Sequence, residues 1–110
     1  MTLSASELLE RVADRLETRG WCQGTAGGEA GPNCVLGAMT QVLRLGSIDG
    51  DYRRELDRWK LRGEAVGALR DVTGALALDG WNDMPGRARQ EVLDATRKAA
   101  KLARIREESA

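Results

Sequence analysis

Apolar positions in the first twenty residues recur at helical spacing: Leu8, Leu9, Val12, Ala13 and Leu16 make one stripe, opposed by Glu10, Arg11, Asp14 and Arg15. Ser4-Ala5-Ser6-Glu7 just ahead of the stripe is a capping box, with Leu3 and Leu8 placed as its hydrophobic staple. Gly20 stands where a left-handed helix terminator belongs, and Trp21 follows where it can fold back onto Leu16. A second stripe, Leu36, Met39, Val42 and Leu43, predicts a helix that starts near Asn33, an N-cap after Pro32, and runs to Gly46. Gly37 and Ala38 flatten one side of it, so a helix or the preceding loop can approach closely. Ser47-Ile48-Asp49-Gly50 turns the chain. From Asp51, Tyr52, Leu56 and Trp59 share a helical face, and Asp51 with Arg54, Arg53 with Asp57, and Glu55 with Arg58 are spaced as ion pairs. Gly63 interrupts this pattern before Ala65, Val66, Leu69 and Val72 resume it up to Gly74, which predicts two helices or one with a kink.

Residues 75–83 read as a connector holding Leu76, Leu78 and Trp81. Pro85 discourages a helical Met84, so the last helix is expected to begin between Pro85 and Ala88, with Asp83 accepting amide hydrogens at its start. Val92, Leu93, Thr96, Ala99, Ala100 and Ala103 form its inner face, with fraying before Ser109. No repeat and no alternating strand pattern is visible. The pattern therefore predicts one all-α domain over residues 1–110, a bundle of four to five helices with a glycine-rich loop between the first two and frayed ends at 1–3 and 107–110.

Composition narrows the class. A chain of 110 residues buries roughly two-thirds of its unfolded surface, enough for one modest core. No apolar run approaches the roughly 18 residues that a membrane span requires, and Glu7, Glu10 and Arg11 interrupt any signal-peptide pattern, which makes the cytoplasm the expected location. The formal charge of zero hides an asymmetry. The last helix carries Arg87, Arg89, Arg97, Lys98, Lys101, Arg104 and Arg106, while the rest of the chain is net acidic. Such a helix can contact phosphates, but nucleic-acid binders are basic over the whole domain and carry a reading motif, and this chain has neither. Nucleic acid is thus a disfavoured partner, and the acidic remainder can pair with the helix within one chain or between two copies.

The rare residues gather in the loop. Cys22 and Cys34 admit three readings: free thiols, a disulfide pinning the loop, or half of a metal site. With two cysteines and no histidine, the chain cannot by itself supply the four ligands of a tetrahedral zinc site, and no cofactor motif is present. The loop lacks the Gly-Lys-Ser/Thr ending and the preceding strand of a nucleotide-binding motif. As a nucleophile, Cys34 in the first turn of a helix is better placed than Cys22, and Asp83 is a candidate base, but the missing histidine removes the usual partner for such chemistry. Trp81-Asn82-Asp83 is either a small polar site or a capped turn. A hydrogen bond from Gln23 to Asn82 or Asp83 would close the loop over the core as a structural network.

The three motifs Trp21-Cys22-Gln23-Gly24, Cys34-Val35-Leu36-Gly37-Ala38 and Trp81-Asn82-Asp83 span most of the chain in this order. In them the sequence resembles a family of small uncharacterised proteins from actinobacteria and their phages, the domain of unknown function 6197. One departure is Ala88, where such proteins often have a threonine suited to capping. The resemblance implies an actinobacterial or phage source and no mechanism. Taken together, these features lead us to expect a non-enzymatic binding protein, encoded by a phage and acting on a host protein. Its expected binding residues are Trp21, Cys22, Gln23, Cys34, Trp81, Asn82 and Asp83. The alternatives are a small-molecule site or enzyme built on Cys34 and the Trp81 turn, and nucleic-acid binding through the basic helix.

Overall fold

The structure, a computed structural model, describes residues 3–45 and 52–109, with side chains omitted at residue 45 and at 52–55. Among the described residues five helices follow one another: α1 (Ala5–Arg19), α2 (Val35–Leu45), α3 (Tyr52–Thr73), α4 (Leu78–Asn82) and α5 (Arg89–Ser109). Among the described residues there is no strand, only two isolated bridges within the loop after α1. The fold is all-α.

The Ser4 hydroxyl accepts the Glu7 amide hydrogen at 3.2 Å, and the Ser4 amide donates back to the Glu7 carboxylate at 3.3 Å, so both halves of the capping box are made. At the other end the Gly20 amide donates to the Leu16 carbonyl, with Gly20 at φ 98°, a conformation that favours glycine. Between these caps Leu8, Leu9, Val12, Ala13 and Leu16 are fully buried. α1 is the centre of the bundle, packed along α5 and against α2 and α3. The facing stripe of α5 is built of small residues, Ala95, Ala99, Ala100 and Ala103 with Thr96, which lets the two helices approach closely. Val35, Ala38 and Met39 of α2 and Ala65, Ala68 and Leu69 of α3 complete the core.

Several boundaries differ from those the sequence predicts. α2 begins at Val35, with the Cys34 carbonyl accepting the Ala38 amide hydrogen, because Asn33 turns inward to hold the loop. α3 is one unbroken helix through Gly63. Its apolar stripe is packed against α1 and α5, and that packing outweighs the ~1 kcal/mol a helical glycine costs. The expected turn at Ser47-Ile48-Asp49-Gly50 and the ion pairs drawn from Asp51, Arg53 and Glu55 lie outside the described residues or side chains. The connector after α3 contains the short helix α4, anchored by buried Leu78. α5 starts at Arg89, preceded by Ala88, whose amide donates to the Glu91 carboxylate at 2.9 Å. Asp83 does not cap that helix. α5 also continues to Ser109, and the Glu107 carboxylate accepts from the amide and the hydroxyl of Ser6, tying the end of α5 to the first turn of α1.

Arg15 is the remaining departure. It lies three residues after Val12 and seven after Leu8, on the buried side of α1, and is 8% exposed.

Candidate functional site

The loop from Trp21 to Cys34 leaves α1 and returns beside its own start. Asn33 donates its amide to the Gly20 carbonyl at 3.2 Å and accepts the Cys22 amide hydrogen at 3.0 Å, which makes a parallel bridge between Trp21 and Asn33. The fully buried Asn33 side chain then organises the interior of the loop. Its Nδ2 donates to the Ala26 and Gly28 carbonyls at 3.0 and 3.1 Å, and its Oδ1 accepts from Arg15 Nε at 2.9 Å. Arg15 also donates to the Glu29 carbonyl. Paired in this way, a guanidinium group can be buried without leaving its charge unsatisfied.

Two glycines permit the close approach. A Cβ on Gly27 would sit 1.9 Å from the Pro32 carbonyl oxygen, and one on Gly37 would sit 1.9 Å from that of Ala26. The flattened side of α2 thus receives the loop.

The second organiser is Asn82, at the end of α4 and wholly buried. Its Oδ1 accepts the Trp21 indole N–H at 2.7 Å and the Val35 amide at 3.1 Å, and its Nδ2 donates to the Cys22 carbonyl at 3.0 Å and to Asp83 Oδ1 at 2.9 Å. Both lone pairs and both hydrogens of the amide are therefore used. By accepting the Val35 amide, Asn82 caps α2 from another part of the chain. Gln23 Nε2 donates to the Asn82 and Met84 carbonyls, each at 3.0 Å, and Asp83 Oδ1 accepts the Gly24 amide at 2.9 Å. The Gly24 amide, followed by the Asn82 side chain, holds the Asp83 carboxyl below its ordinary pKa. Trp81 is half-buried, with the Arg87 guanidinium 4.4 Å from its ring centroid and Arg87 Nε donating to the Trp81 carbonyl at 3.0 Å.

Trp21, Cys22, Gln23, Asn82 and Asp83 therefore meet in one hydrogen-bonded cluster, with Cys34 next to Val35 at its edge. Both cysteines are free thiols. Cys34 is 7% exposed, and its Sγ accepts the Gly37 amide hydrogen at 3.2 Å, the place a serine or aspartate oxygen takes in an N-cap. Burial, then Cys34 and Asp83, push the Cys22 thiol above its ordinary pKa, which lowers its thiolate fraction at neutral pH. No group of three or more cysteine, aspartate or glutamate side chains able to hold a metal occurs among the described residues.

Apart from Arg87, the residues of the expected basic patch lie elsewhere. Arg97 pairs with Asp14 at 3.4 Å and Glu17 at 3.2 Å, Arg104 with Glu10 at 2.8 Å, Arg106 with Asp71, and Arg87 with Glu91 at 2.9 Å. Arg89 donates to the Glu17 carbonyl at 2.6 Å. Lys98 and Lys101 are exposed. Arg89, Arg97 and Arg104 of α5 thus form a seam with α1 within one chain, while Arg106 reaches α3. Arg15 and Asn33 were not among the expected site residues. The spacing of Arg15 from Leu8 and Val12 is the signal that would have placed it inward.

Fold and cluster define a small all-α domain built around a pinned, glycine-rich loop. The chain belongs to the family of unknown function DUF6197, whose model matches residues 1–102. Comparisons with curated proteins and with solved structures give no match.

Proposed function

We propose that this protein is a non-enzymatic binding protein that acts by docking onto another protein and, where a phage encodes it, onto a protein of the host. The observation that carries this reading is the outward face of α3. Leu56 is 55% and Trp59 73% exposed, one helical turn apart, while the other large exposed apolar side chains among the described residues, Leu76, Met84 and Ile105, belong to three different segments. Trp is among the residues most enriched at interface hot spots. The polar cluster supports the same reading from the other side. Asn82 has no hydrogen-bonding capacity left for a ligand, and Gln23 and Asp83 are engaged with loop and turn backbone. No helix of the described chain is long and apolar enough to cross a membrane.

The test is capture from an actinobacterial lysate by the immobilised protein, with a Leu56→Ser/Trp59→Ser variant alongside. Stoichiometric retention of a protein by the native chain and its loss with the variant support the reading. Equal retention by both, or no retained protein, contradicts it.

A further inference from the structure

The outward face of α3 continues beyond Trp59. Leu56, Trp59, Gly63 and Gly67 follow at steps of three, four and four, one side of a helix, opposite buried Ala65, Ala68 and Leu69. Two glycines inside a helix cost stability, and nothing among the described residues accounts for them, since a Cβ at Gly63 or Gly67 would meet none of their atoms within 4 Å. Gly37, by contrast, is required by the Ala26 carbonyl. A glycine ridge with open space in front lets the backbone of a second helix come close.

Beside this ridge an open groove of about 580 Å³ runs between α2 and α3, lined by Thr40, Leu43, Arg44, Arg58, Trp59 and Arg62. Arg62 Nη1 donates to the Thr40 hydroxyl at 3.1 Å, which holds its guanidinium across the groove. Among the described residues this lining holds the guanidinium groups of Arg44, Arg58 and Arg62.

Resting on the docking function proposed above, we infer that this ridge and groove receive an acidic amphipathic α-helix of a partner protein. The partner's apolar seam lies on Leu56, Trp59 and the glycines, and its carboxylates meet Arg44 and Arg62. Arginine and tryptophan around an apolar centre make the usual composition of a protein interface. A nucleic-acid strand fits less well, because one tryptophan offers a single stacking platform and the whole chain is neutral. A second copy also fits less well. Four carboxylates, Glu10, Asp14, Glu17 and Asp71, are already paired with arginines of α5, which leaves another copy fewer to offer.

The experiment uses the full chain and a labelled synthetic helix about four turns long, with leucines on one face and glutamates on the other. Fluorescence anisotropy is read against the same composition scrambled, a lysine-for-glutamate version and a single-stranded oligothymidylate. The acidic helix should bind at least about tenfold more tightly than either control peptide, and less tightly as salt rises. Arg44→Glu/Arg62→Glu and Gly63→Leu should each weaken it at least about tenfold while melting like or above the native chain. Gly63→Leu faces open space and so keeps the fold.

Equal binding of the lysine peptide, indifference to these variants, preferential binding of the oligothymidylate, or self-association that the variants abolish would each overturn the inference. If lysate capture depends on Leu56 and Trp59 but ignores the arginine and glycine variants, the docking function stands and this partner assignment falls.

Discussion

At the scale of single residues, Asn82 bears the most. Its amide joins α4, the start of α2 and both sides of the loop entrance, and it does so without contact with water. Replacing it with alanine would leave the Trp21 indole, the Val35 amide and the Cys22 carbonyl buried without partners. Because an orphaned buried group costs ~1–3 kcal/mol, Asn82→Ala should lower the unfolding free energy by about 3 kcal/mol, read by urea denaturation. A change below about 1 kcal/mol would show that the cluster is not what pins the loop. Asp83 adds a pH dependence of known sign. Its folded pKa lies below its unfolded value, so its contribution is present above the ordinary carboxylate range and is lost as pH falls through the lower folded pKa. Hydrogen-exchange protection of the Gly24 amide should decline with acid in the native protein and lose that dependence in Asp83→Asn. The sequence pointed to Gln23, Asn82 and Asp83 as neighbours because polar residues beside tryptophans in turns need partners. It did not show that Asn33 faces inward, since an asparagine after proline reads equally well as a helix cap.

At the scale of elements, the glycines separate into two kinds. Gly37→Ala should destabilise by about 1–3 kcal/mol despite the better helix propensity of alanine, because its Cβ would overlap the Ala26 carbonyl. Gly63→Ala meets only open space and should stabilise by about 1 kcal/mol. Thermal melts of the two variants check the contrast, and shifts of the same sign would refute it. The start of α5 offers a further gain. Glu91 already accepts the Ala88 amide, which is half of a capping box, and Ala88→Thr should supply the other half for roughly 0.5–1 kcal/mol. Helices with a single apolar face, α1 and α5, were legible in extent to within a few residues, whereas the inward Arg15 and the tied end of α5 were not. α3 was not, because it carries apolar side chains on opposite faces, and no periodicity argument decides which face a tertiary partner will cover.

At the scale of the molecule, charge and apolar surface are distributed differently. Arg97 and Arg104 of the basic helix that dominates the sequence are paired along the α1–α5 seam, in contacts worth ~0–1 kcal/mol each, whereas α3 keeps large apolar groups in water beside arginines. All-helical architecture followed from pattern alone, while the location of an outward face required knowing how five helices pack. The account turns on whether that face is where the protein meets its partner. Retention of a lysate protein by Trp59→Ser, compared with the native chain at matched folding, tests this directly. The account predicts a loss of at least about tenfold with an unchanged melting curve, and undiminished retention would contradict it.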